Sequence, residues 1–216
     1  MAGSDQQLAR ARQQFVLRRL HSLTGIVPIG AYLLAHIFLE NSFVLGGPAR
    51  FEGLVGAIAT FPPAFLLGME ILFIWGPLLF HGLYGFVRVR QAELDNPLRN
   101  DHVGAYLYSL QRISGVIAFF FIGWHVWSTR MQYYFNHTEI TYAFMHGIMI
   151  DPLKFTFFMV GVLAAVFHFT NGIWTFCITW GITVGQRAQR QLRAASMGFF
   201  VVMYGTAVAI LMAFRA

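Results

Sequence analysis

Residues 18–40 read RRLHSLTGIVPIGAYLLAHIFLE. Between Arg19 and Glu40, twenty residues pass without an Asp, Glu, Lys or Arg. A bilayer core is crossed by about 20 apolar residues in a helix, so this stretch predicts a membrane span, and it carries two histidines. Working outward, four more charge-poor stretches follow: 53–87, interrupted once by Glu70, then 113–129, 155–186 and 194–214. Together they predict five helices, near 17–42, 63–90, 105–130, 153–184 and 194–214. Pro62 and Pro63 suit the first turn of the second helix, and Pro77 is expected to bend it.

Composition supports the same class. Of 216 residues, 57% are hydrophobic and only 11% charged, against roughly 25% charged in an ordinary soluble domain. The one cysteine, Cys177, rules out a disulfide scaffold and four-cysteine iron–sulfur ligation; it reads as a small buried hydrophobe. The expectation is an all-α membrane protein, a single transmembrane domain over 1–216 with a polar N-terminal segment, 1–14. The first apolar run is a full span, which predicts no cleavable signal peptide.

Lys and Arg set the orientation. Eleven fall on one side: Arg10, Arg12, Arg18, Arg19, Arg88, Arg90, Arg99, Arg112, Arg187, Arg190 and Arg193. Four fall on the other: Arg50, Arg130, Lys154 and Arg215. The N-terminus is therefore expected in the cytoplasm. The net charge of +6 follows from this asymmetry and gives no reason to expect nucleic acid. The basic rim could also hold an anionic soluble partner or anionic lipid.

Ionisable residues inside a membrane are costly and mark function. Each of the first four helices holds one histidine well inside it: His36, His81, His125 and His168. The first and third helices run outward, and the second and fourth inward. His36 lies 15 residues past His21, about 22 Å at 1.5 Å per residue, and His125 lies just before Arg130. Both belong to the outer half. His81 comes shortly before Arg88, in the inner half, and His168 is near the middle or slightly inward. Depth thus pairs His36 with His125, and His81 with His168. Two imidazoles facing each other across a bundle suit the axial positions of a haem iron, and cofactor sites in bundles are built from inward side chains on facing helices. Glycines beside the ligands (Gly25, Gly30, Gly82, Gly85, Gly115, Gly123, Gly172) would let the backbone step back for a macrocycle.

Similar His-to-His spacings suggest two like hairpins. They predict a four-helix, haem-binding bundle with a peripheral fifth helix. Candidate partners for haem propionates are Arg19, Ser22, Arg88, Arg112 and Ser114 on the inner side and Arg130 on the outer. His21 belongs near the inner haem edge or at the interface. The tryptophans are read as packing and interfacial anchors.

Several segments carry a family resemblance: 18–23 (RRLHSL), 80–85 (FHGLYG), 111–115 (QRISG), 124–127 (WHVW), 167–172 (FHFTNG) and 179–183 (TWGIT). They resemble the di-haem cytochrome b membrane anchor of succinate dehydrogenases, in the five-helix, single-anchor branch of menaquinone-using bacteria. The resemblance implies two haem b groups, His81 and His168 ligating the inner one and His36 and His125 the outer. It implies a bacterial cytoplasmic membrane, and a flavoprotein and an iron–sulfur protein on the cytoplasmic face. Electrons from succinate would pass through the haems to a quinone, menaquinone in that branch. No dinucleotide-binding glycine motif or cysteine cluster equips this chain to oxidise succinate itself.

Glu70 and Glu40, both in the outer half, are candidates for a proton donor or quinone contact. Some fumarate-reducing relatives carry a Glu two residues before the fourth ligand; here that residue is Val166, which favours succinate oxidation. The competing readings are a quinol:fumarate reductase anchor, a di-haem cytochrome b of another quinone-linked dehydrogenase, a non-redox histidine relay in a proton channel or transporter, and a purely structural anchor. A transporter would show paired Gly/Pro breaks in its helices; Pro77 is the one interior break read here.

Overall fold

The computed structural model describes residues 2–91 and 103–216. Arg99 and His102 lie outside them. Five helices are long and apolar enough to cross a membrane: Asp5–Gly46, Pro63–Gln91, Gly104–Asn136, Pro152–Thr179 and Gln186–Arg215. These are the five predicted spans, in order, and the described residues include no strand. Their outward faces carry bare apolar side chains such as Leu72, Phe120 and Val201, as a lipid-facing surface requires.

Proline shapes the first two spans. Pro77 lacks an N–H and crowds the preceding turn. The helix accommodates it with a π-helical stretch, Ile71–Trp75, directly before Gly76. A second interior proline, Pro28, interrupts the first span after Val27; the sequence reading weighed Pro77 alone. The first span then loosens into a π-helical stretch, Ala35–Glu40, and a 3-10 turn, Asn41–Gly46. π-Helical stretches inside α-helices collect at functional sites, and this one carries His36.

The fourth span starts on a capped turn: Asp151 accepts hydrogen bonds from the backbone N–H groups of Leu153 and Lys154 at 2.9 and 3.1 Å, with Pro152 following. The bond from Lys154 holds the Asp151 carboxyl below the usual carboxylate range, against an opposing effect of desolvation, and the bond from Leu153 adds to it. This span ends at Thr179, five residues before the expected 184. The stop is a Schellman motif: Gly181, at φ +70°, donates to the Ile178 carbonyl, and Ile182 donates to the Cys177 carbonyl at 2.8 Å. The last span begins at Gln186, eight residues ahead of the expected 194. Its first turns are polar and carry Arg187, Arg190 and Arg193 beyond the apolar stretch.

The third span packs along the fourth, and the fourth along the fifth; the first lies against the second and the fourth. At the end opposite the basic rim the connecting helices Pro48–Ala59 and Tyr142–Met149 close over the bundle, and Met149 and Phe214 are all but inaccessible there. The fifth span stands outside the histidine-bearing four yet is firmly fixed. Tyr142 donates to the Ala213 carbonyl (3.2 Å), and the His146 ring nitrogen lies 2.9 Å from the Phe214 carbonyl, serving carbonyls that a helix end leaves open. The second span is the least enclosed, with no fully buried residue.

Candidate functional site: two histidine pairs

The bundle brings the four intramembrane histidines together as two pairs. The rings of His81 and His168 have centres 6.0 Å apart, edge to face at 86°. Those of His36 and His125 are also 6.0 Å apart, at 63°. Among the described residues no three of His, Cys, Asp and Glu converge, so each place offers two nitrogens. Zinc sites generally use three or four protein ligands.

The inner pair is held the same way twice. His81 Nδ1 donates to the His21 carbonyl at 2.8 Å, and His168 Nδ1 to the Gln111 carbonyl at 2.9 Å. Backbone carbonyls can only accept, so both imidazoles carry their proton on Nδ1 and leave Nε2 as a free lone pair, the arrangement ligating histidines adopt. Four residues after each acceptor stands a glycine. A Cβ at Gly25 would run into the His81 ring, and one at Gly115 would come within 2.7 Å of His168 Cε1. Four residues after each ligand stands another. A Cβ at Gly85 would stand 3.6 Å from His21 Nε2, and one at Gly172 3.5 Å from Gln111 Nε2. The glycines read as making way for a macrocycle therefore seat the ligands and their neighbours. Gly30 and Gly82 lie against Phe169 and Phe119, and Gly123 has open space.

This correspondence makes the first two spans and the next two copies of one hairpin, with His21 and Gln111 as counterparts. Their side chains differ in use. Gln111 donates to the His168 carbonyl (2.9 Å) and accepts from Asn171 (2.7 Å). His21 stacks flat on His81, ring centres 4.1 Å apart at 6°. The sequence showed His21 as an edge residue only; the shared offset to Gly25 and Gly115 was the available signal for Gln111.

The outer pair is held differently. His36 Nδ1 lies 2.8 Å from Glu40 Oε2 and 3.3 Å from the Tyr32 hydroxyl. His125 sits between the parallel ring of Phe121 and the edge-on ring of Phe158, and its buried Nδ1 has no partner. Beside this pair, Glu70 of the second span accepts from Arg130 of the third. It accepts also from the Tyr134 hydroxyl at 2.8 Å and the Trp75 indole at 3.4 Å. Arg130, read as a propionate partner, is thus joined to Glu70, read as a proton or quinone residue. Tyr32, Trp75 and Tyr134 were not singled out for this site in the sequence.

The other propionate candidates gather at the basic end. Arg19 lies between Phe15 and Trp180, 5.0 and 4.8 Å from the ring centres. Ser22 donates to the Arg19 carbonyl and accepts from the Trp180 indole at 3.0 Å. Arg88 donates to Gln91, and Ser114 to the Gln111 carbonyl. Arg112 lies over Tyr108, and its buried Nε has no partner.

These observations fit a haem at each pair. Ring nitrogens sit about 2 Å from a metal they bind, so imidazoles on opposite sides of one iron have centres about 6 Å apart. The free Nε2 lone pairs of the inner pair, their protons fixed on Nδ1, and the orphaned Nε of Arg112 suit an iron with anionic substituents on its macrocycle.

Residues 88–209 match the family described as succinate dehydrogenase/fumarate reductase transmembrane subunit. The chain is also 36% identical, over 191 residues, to the succinate dehydrogenase cytochrome b558 subunit of Bacillus subtilis (strain 168), covering 88% of this chain and 92% of that one. The chain belongs to the cytochrome b membrane-anchor family of succinate dehydrogenases and fumarate reductases.

Proposed function

We propose that this chain holds two haem b groups and carries electrons from an iron–sulfur subunit to a membrane quinone, menaquinone, in a succinate:quinone oxidoreductase. The observation that carries the reading is the repeated 6.0 Å separation of facing imidazoles from different helices. Bound haem supplies a one-electron carrier at each pair. His81 and His168 are the inner ligands, and His36 and His125 the outer. Arg19, Ser22, Arg88, Arg112 and Ser114 are the residues that would hold the inner propionates. The excess of eleven cations over four supports a basic end that faces the cytoplasm, in a bacterial membrane as for the Bacillus subtilis relative, and it is there that the flavoprotein and iron–sulfur subunits would dock. Glu70, with Arg130 and Tyr134, forms a polar group beside the outer pair where a quinone oxygen can be hydrogen-bonded and a proton delivered.

Two residues before His168 stands Val166, which has no ionisable group; this favours succinate oxidation over fumarate reduction. A histidine relay is disfavoured, because Nδ1 of both His81 and His168 is committed to a backbone carbonyl, which cannot pass a proton on.

Ligand variants of the assembled complex test the proposal. His81→Ala or His168→Ala is expected to remove one haem, and His36→Ala or His125→Ala the other. Loss of the same haem from one member of each pair, or retention of both in all four variants, would overturn the assignment.

A further inference from the structure

The four imidazoles are held by unlike acceptors. His81 and His168 each donate to a neutral backbone carbonyl. His36 donates to a carboxylate, Glu40 Oε2, at 2.8 Å, and its partner His125 has no acceptor at all. Hydrogen bonds to ionised groups are roughly twice as strong as those between neutral groups. Glu40 lies one turn after His36 on the same π-helical stretch, so one piece of backbone fixes both groups.

A carboxylate on the outer nitrogen of a ligating imidazole raises the basicity of the metal-facing nitrogen. Hydrogen bonding to axial ligands is one of the means by which a protein sets a haem potential. A more electron-rich Nε2 favours the higher oxidation state of the metal it binds, and so lowers the reduction potential. The inner pair has no equivalent.

We propose that Glu40 lowers the reduction potential of the outer haem site by hydrogen-bonding Nδ1 of His36. The inference rests on the bis-histidine haem reading above. It makes Glu40 a positioning residue that acts through His36, and leaves Glu70 as the carboxylate available to a quinone.

The test is a potentiometric titration of both haems in the assembled complex, for the natural chain and for Glu40→Gln, Glu40→Ala and Glu70→Gln. Glu40→Gln removes the charge while keeping an acceptor oxygen. It is expected to raise the reduced-to-oxidised ratio of the outer haem, at fixed potential, by at least tenfold, or 59 mV for a one-electron couple. Glu40→Ala is expected to match or exceed that, with the inner haem moving less than threefold. A change below threefold with haem retained, or an equal change in Glu70→Gln, would overturn the proposal. Should the Glu40 variants lose the outer haem, infrared redox difference spectra of the Glu70→Gln complex decide. With haem 13C-labelled at its propionates supplied to the cells, a carboxylate stretch that shifts with the outer haem alone and is not moved by the labelling supports the proposal, and its absence overturns it. Two haems with no Glu40 effect would defeat this inference alone, whereas no haem in the natural complex would defeat the reading beneath it.

Discussion

At the scale of the residue, the glycines make the sharpest claims. Gly115 is pressed by His168, whose Nδ1 is tied to the Gln111 carbonyl, so the ring cannot swing aside without breaking that bond. Alanine usually gains about 1 kcal/mol over glycine in a helix, but overpacking costs about 1–3 kcal/mol. Gly115→Ala and Gly25→Ala are therefore expected to lower the melting temperature and the content of inner haem together. Gly123 meets nothing within 4 Å, so Gly123→Ala should be neutral or stabilising. Thermal denaturation of the three variants, with haem quantified, checks this; equal losses in all three would contradict it. The histidines themselves were legible in the sequence, because a charge-free helix makes each stand out and helix direction gives its depth. Their Nδ1 acceptors were not. A backbone carbonyl has no residue signature, and the bonds span about 60 residues of chain.

At the scale of the element, the ends and breaks of helices were the least legible. Counting charge-free windows locates the lipid-crossing part of a helix, yet hydrogen bonding continues past it wherever arginines can reach water. That is why the fifth span starts at Gln186, among Arg187, Arg190 and Arg193. The end of the fourth span was readable in principle from Gly181. Its φ of +70° is a conformation that costs an ordinary residue about 1–2 kcal/mol, so Gly181→Ala is expected to destabilise the complex by that order, as read in its unfolding midpoint. The Glu70–Arg130 ion pair ties the second span to the third, with Glu70 side-chain exposure of only 16%. Exposed pairs are worth about 0–1 kcal/mol. A double-mutant cycle on Glu70→Gln and Arg130→Met is expected to give a coupling above that range. A coupling near zero would show that this tie does not hold the two hairpins together.

At the scale of the whole molecule, the arrangement is two copies of a hairpin carrying a histidine at each of two depths. That plan was visible in the spacing of His36, His81, His125 and His168, and the paired carbonyls and glycines at 21 and 25, and at 111 and 115, extend it. The plan sets a direction for charge. On the proposed reading, electrons delivered at the basic end and leaving at the outer pair would move toward the normally positive side of the membrane. Full crossing is worth about 2.3 kcal/mol per electron per 100 mV. The field would thus help succinate reduce a low-potential quinone. Collapsing the membrane potential of intact cells is expected to lower succinate:menaquinone activity while leaving succinate oxidation by an artificial acceptor unchanged. An equal response of both activities would argue against outer-side quinone reduction.

The central claim is that each facing imidazole pair holds one haem b. It is tested most directly by a dithionite-reduced minus oxidised optical spectrum of the purified complex, with haem quantified per copy of this chain and titrated against potential. The account predicts two b-type haems per chain, reduced in two separate steps. One haem per chain, or none in preparations shown to retain their cofactors, would contradict it.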